Sequence, residues 1–164
     1  MLIVLSGLPG VGKTAIARAL ARATDAVHVR IDSIEQALRS EGCDVDGQGY
    51  RVGYAVAEDN LRLGRTVVAD SVNPWPLTRG EWRGVAARAC ARALDVEVVC
   101  SDADEHRRRV EVREADIPGL KLPSWDDVVA RDYRAWDTAR LVIDTARLTV
   151  DEAVREILSV ASRR

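Results

Sequence analysis

The sequence predicts a three-layer α/β/α fold on a five-stranded parallel sheet, and three observations carry that expectation. Apolar runs at residues 2–5, 26–31, 66–70, 95–100 and 141–144 alternate with segments of helical periodicity. Leu2-Ile3-Val4-Leu5 and Thr66-Val67-Val68-Ala69 are apolar without a break, which suits strands covered on both faces. The first run also passes through a glycine-rich turn straight into a helix former, the opening of a right-handed crossover. With 164 residues, 47% of them hydrophobic, the chain supports one core and one domain over residues 1–164.

That turn, Gly7-Leu8-Pro9-Gly10-Val11-Gly12-Lys13-Thr14, reads G-x-x-x-x-G-K-[ST], with Ala15-Ile16-Ala17-Arg18-Ala19-Leu20-Ala21 continuing it as a helix over about 13–23. Glycines let successive backbone N–H groups point at a phosphate, and the positive end of the helix adds to the field. In such a loop Lys13 reaches the β- and γ-phosphates and the Thr14 hydroxyl ligates Mg²⁺. A glycine-rich turn with an incidental lysine is the alternative, and the flanking strand and helix weigh against it. The motif implies a nucleoside triphosphate site.

The second strand, 26–31, ends at Asp32-Ser33, and Ile34, Ala37 and Leu38 at i, i+3, i+4 start a helix. Asp32 therefore lies at the carboxyl edge of the sheet, where open parallel sheets bind ligands. Helix capping, by Asp32 with Glu35 or Ser33 with Gln36, is its ordinary alternative. Residues 41–49 read as a loop and 50–63 as a helix stopped by Gly64. The third strand closes on Asp70, either a carboxylate for Mg²⁺ or the acceptor, or a turn acid in Asp70-Ser71-Val72-Asn73-Pro74. After Pro74-Trp75-Pro76, one helix face carries Trp82, Val85, Ala86, Ala89, Cys90 and Ala93; Trp75 itself either walls an acceptor pocket or plugs the loop.

Residues 101–116 form a predicted helix bearing Arg107, Arg108, Arg109 and Arg113. Glu105 with Arg109 and Arg107 with Glu111 are ordinary i,i+4 partners, yet Arg109 and Arg113 stand one turn apart, an arrangement that favours closure over anionic phosphates. With the irregular stretch 117–123 they outline a helical lid at about 102–124. Ser124 with Asp127 caps a helix running to about Trp136, residues 141–144 give the fifth strand, and Val150, Ala153, Val154, Ile157, Leu158 and Ala161 stripe the last helix.

Composition excludes several classes. With 24 basic against 26 acidic residues no whole-molecule field recruits nucleic acid, so nucleic acid is not an expected partner. No apolar stretch is long enough for a signal peptide or a membrane span, which points to a cytoplasmic protein without a membrane partner. Cys43, Cys90 and Cys100 lack disulfide or zinc spacing. An N-K-x-D guanine motif is missing, and Asp116-Ile117-Pro118-Gly119 follows a charged helix where a GTPase D-x-x-G would follow a strand.

Taken in order, Gly7 to Thr14, Asp32, Val67-Val68-Ala69-Asp70, Arg109/Arg113 and Val142-Ile143-Asp144-Thr145 resemble the small P-loop kinases typified by gluconate and shikimate kinases, chloramphenicol phosphotransferase, zeta-type toxins and the kinase domain of polynucleotide kinases. The resemblance covers most of the chain and implies a P-loop NTPase fold and transfer of the ATP γ-phosphoryl group to a hydroxyl of a small molecule, with GTP as the other candidate donor. It makes Asp32 the acid that orients and deprotonates the acceptor, Arg109 and Arg113 lid arginines, and the turn from Thr145 to Arg147 the neighbour of adenine. Asp32, Asp70 and Trp75 are the acceptor candidates, and Thr14 with Asp70 the metal candidates. Nothing between residues 32 and 80 matches one member's substrate motif. Kinases of nucleic-acid ends or nucleotide sugars, and a non-transferring nucleotide switch, are the alternatives; a monomer or homodimer is expected.

Overall fold

In the computed structural model, which describes residues 1–163, five parallel strands lie in the order β2-β3-β1-β4-β5: β1 (Leu2–Ser6), β2 (Val27–Arg30), β3 (Val67–Asp70), β4 (Ala93–Val99) and β5 (Leu141–Asp144). Alternation along the central strand separates two cores. Ile3 and Leu5 face α1 (Lys13–Thr24) and α7 (Val150–Ser162), which bury Ile16, Leu20, Ala153 and Ile157. Leu2 and Val4 face the other way, toward α3 (Gln48–Arg62) and α4 (Pro76–Arg88), with Ala57, Leu61, Trp82 and Val85. Covering both faces explains the unbroken apolar strands and gives the three-layer α/β/α P-loop NTPase fold.

Register sets the site. Because β3 lies between β1 and β2, its last residue, Asp70, is level with Leu5 on one side and Arg30 on the other. The strand-end acid thus stands between the loop leaving β1 and the helix leaving β2.

Four boundaries differ from the sequence expectation. The second helix, α2 (Ile31–Ser40), begins directly after β2, so Asp32 sits inside its first turn; the cap position falls to Arg30, and no side chain caps this end. Helix α4 stops at Arg88, Cys90 turns through a left-handed conformation (φ 52°), and both Cys90 and Ala93 are exposed instead of core. Helix α5 is Ala103–Val112, with Arg113 already extended at ψ 132°, because Asp116 is drawn off the helical path by ion pairs with Arg18 and Arg30. The Ser124/Asp127 capping box is present, yet α6 covers only Trp125–Val129. The chain beyond it is irregular and is held by Arg79. That side chain is 1% exposed, donates to the carbonyls of Asn73, Pro74, Arg134 and Ala135, and holds its guanidinium 4.2 Å from the Trp136 ring and 5.0 Å from that of Tyr133. Among the described residues no helix is long and apolar enough to cross a membrane.

Replacing Arg79 with Met strands the carbonyls of Asn73, Arg134 and Ala135 and removes the ring contacts. The variant should lose about 2–4 kcal/mol of stability, read as a lower urea midpoint with unchanged slope.

Candidate functional site

A cleft of about 1430 Å³ lies at the carboxyl edge of the sheet, lined by Pro9, Gly10, Gly12, Lys13 and Thr14 of the phosphate loop and by Asp32, Asp70, Trp75 and Leu77. Its phosphate-loop end is built by close contacts. A Cβ on Gly7 (φ 145°) would lie 2.2 Å from the Val98 carbonyl oxygen, and one on Gly10 (φ 84°) 2.5 Å from Val110, so β4 and α5 press on the loop where only glycine fits. Gly12 (φ 97°) then turns the chain into α1. His106 Nε2 lies 2.8 Å from the Pro9 carbonyl, and the Thr145 hydroxyl is 2.9 Å from that of Val11. Of the predicted loop, Pro9, Gly10, Gly12, Lys13 and Thr14 line the cleft; Gly7, Leu8 and Val11 support it from behind, Val11 within the core.

Lys13 is 8% exposed and donates to the Leu8 carbonyl at 2.8 Å. Burial lowers its pKa to about 8, opposed by the negative charges of Asp70 and Asp32 and aided by Arg113 and Arg131. Asp70 is 3% exposed; burial alone would raise its pKa, but His28, Lys13 and Thr14 hold it below the usual value, so it remains a carboxylate. His28 Nε2 stands 3.4 Å and Arg30 Nε 3.9 Å from Asp70 Oδ2, which nevertheless makes no hydrogen bond. A buried, ionised oxygen without a partner, beside Thr14, suits a water held on a divalent cation, so Thr14 and Asp70 fit Mg²⁺.

Arg30 is the residue that sequence reading missed. Its side chain is 6% exposed and forks onto Asp116 at 2.7 and 3.0 Å, with Asp32 at 3.9 Å. Hydrogen bonds to Arg30, against a smaller effect of burial, and then to Arg18 hold the Asp116 carboxyl well below its usual range. An arginine inside an apolar strand, next to a strand-end acid, was the available signal. Arg131 was invisible: it lines the cleft from just beyond α6 and acts on Lys13 through its charge.

The remaining candidates divide. Asp32 caps nothing and lines the cleft. Trp75 is 47% exposed on the cleft wall, its indole N–H donated to Asp132 at 3.0 Å, and so is no plug under the loop. Arg109 and Arg113 both line the cleft but do not share a helix face. Arg109 donates to Glu105 at 2.7 Å and to the Thr145 hydroxyl and carbonyl at 2.8 and 3.1 Å. Thr145 lies against Gly12 behind the loop, outside the cleft. Arg147 is off the cleft too, exposed and paired with Asp144 at 3.3 Å because the tight turn after β5 points it back along the strand end.

A family model described as an AAA domain matches residues 2–131. No curated protein matches the sequence. Among solved structures, the APS kinase CysC of Mycobacterium tuberculosis, in complex with AMPPNP and APS, superposes with a TM-score of 0.69 at 15% identity, covering 99% of this chain and 97% of that one. Chaetomium thermophilum Kti12, in complex with ADP-AlF3, gives 0.67 at 20% identity, covering 99% and 100%. A gluconokinase of Sinorhizobium meliloti gives 0.59 at 19%, covering 98% and 97%. At these identities the likeness is one of fold, and it is the fold of the small P-loop kinases.

Because the free lysine titrates near pH 8 and its charged form is the one a phosphate selects, nucleotide binding should take up a proton above that pH. Affinity for magnesium-bound ATP should be flat below about pH 8 and then fall about tenfold per pH unit. Calorimetric titration between about pH 7 and 9.5 measures this, and Lys13→Arg should flatten the profile because arginine stays charged.

Proposed function

The chain belongs to the AAA-domain family, and on that premise we propose that it is an ATP-dependent kinase acting on a hydroxyl of a small-molecule acceptor. The observation that carries this reading is the cleft: it exceeds the usual 300–1,000 Å³ or so of a one-ligand pocket, and it is lined by Asp32, Asp70 and Trp75 together with the phosphate loop. Such a cleft admits a donor and an acceptor side by side.

In the proposed reaction Asp32 accepts the proton of the acceptor hydroxyl. The acceptor oxygen forms its bond to the γ-phosphorus as the bond from that phosphorus to the β–γ bridging oxygen breaks, and ADP leaves. Lys13, with Arg109, Arg113 and Arg131, offsets charge on the transferred group. Mg²⁺, when held by Thr14 and through water by Asp70, supplies further charge neutralisation. Residues 102–124 serve as the lid, with Asp116 latching it to Arg18 and Arg30 and so excluding water from the transfer. ATP is the proposed donor, with GTP its competitor, and a cytoplasmic monomer or homodimer the proposed form.

Screening metabolites, sugars, nucleosides and antibiotics for accelerated ADP release tests the reading. Lys13→Ala should abolish transfer. Asp32→Asn should keep nucleotide binding while kcat falls roughly a hundredfold or more. Near-normal turnover by Asp32→Asn would remove that residue from the chemistry, and ATP hydrolysis indifferent to every hydroxyl compound would favour a nucleotide switch.

A further inference from the structure

Beyond Asp32 the cleft opens between two unlike walls. Helix α2 presents a polar one, Glu35, Gln36 and Arg39, while residues 72–77 present an apolar one. On that second wall Trp75 is 47% and Leu77 70% exposed, large apolar side chains left against water inside a cleft. Such surface is favourable only when something covers it. The indole is fixed in place. Its N–H is donated to Asp132, its residue precedes the first turn of α4, and the adjoining Pro74 carbonyl accepts from the Arg134 amide and from Arg79. A ring already held in one orientation stacks on a second ring with little ordering cost. Leu120 and Leu122, both half-buried, line the cleft from the 117–123 loop.

Ser71, 4% exposed and lining the cleft, has a buried Oγ without a hydrogen-bond partner. An unpartnered hydroxyl in a cleft with an apolar wall suits a ligand hydroxyl. Arg30 is forked onto Asp116 and Arg39 is paired with Glu35 at 2.9 Å, while Arg51 and Lys121 line the cleft, exposed and without a salt bridge among the described residues. A polyol would leave the Trp75 wall wet and several of its own hydroxyls without partners.

Resting on the kinase reading, we propose that the acceptor is an alcohol carrying an aromatic ring, which stacks on Trp75 while its hydroxyl enters between Asp32 and Ser71. The test compares kcat/KM for ADP release with 2-phenylethanol and nucleosides against gluconate, ribose and glycerol. Aromatic acceptors should lead by about tenfold or more. Trp75→Ala should raise their KM about tenfold and move kcat less, and Trp75→Phe should recover most of that loss, which a merely structural role would not produce. Binding of the same alcohols should quench tryptophan emission in the native protein but not in Trp75→Phe, a readout independent of turnover. A sugar acid or polyol as the best acceptor overturns the inference and leaves the kinase reading standing. Absence of any accelerated ADP release in a protein that binds magnesium-bound ATP overturns both.

Discussion

Three charges buried at one edge of the sheet govern the rest of this molecule. Lys13, Arg30 and Asp70 are each less than a tenth exposed, and a charge taken from water must find opposite charge or aligned dipoles close by. The parallel register supplies that closeness, since Asp70 is level with Arg30 across one strand pair and with Leu5, just before the phosphate loop, across the other. Neighbouring irregularities follow. With Arg30 turned inward as the residue before α2, no side chain is left to cap that helix, and Asp32 enters its first turn, where the helix dipole favours a carboxylate. Arg30 then needs a counter-charge beyond the two shared aspartates, and Asp116 provides it by leaving the line of α5.

The phosphate loop is held by a second constraint. Strand β4 and helix α5 touch Gly7 and Gly10 at distances where a β-carbon would clash, and the turn after β5 lies in van der Waals contact with Gly12. His106 and Thr145 meet the loop carbonyls of Pro9 and Val11. Thr145 also receives Arg109, and α5 carries both His106 and Arg109. Loop geometry and arginine placement are thereby joined in one hydrogen-bonded unit, and a shift of α5 reaches both.

How much was legible follows from how local each feature is. The phosphate loop could be read because its motif, strand and helix are contiguous; Asp70 and the striped helix α7 could be read because period and strand end suffice. Arg30 left only the signal of a charge inside an apolar strand, since its burial depends on Asp116, 86 positions later. Ser124 and Asp127 state correctly where α6 starts, but no local signal marks its stop after Val129, and the chain beyond is held by an arginine of another helix through carbonyls 55 and 56 residues away. The Arg109/Arg113 pairing failed because a one-turn spacing implies a shared face only while the helix lasts, and it stops at Val112.

Arg109 shows what the resting arrangement costs to change. Its ion pair with Glu105 joins two side chains each 29% exposed, the kind of contact worth about 1 kcal/mol or less. A phosphate oxygen offers a charge-assisted bond of the same kind. Exchanging Glu105 for phosphate therefore replaces one such bond by another without unfolding anything, and Glu105 keeps a partner in Arg108, which already donates to it at 2.7 and 2.8 Å. The bonds to Thr145 are different, since they tie the same guanidinium to the phosphate loop through the hydroxyl that meets the Val11 carbonyl. An arginine released on one side and tethered on the other swings about that tether, which confines its reach to the loop end of the cleft and leaves the Trp75 end to the acceptor.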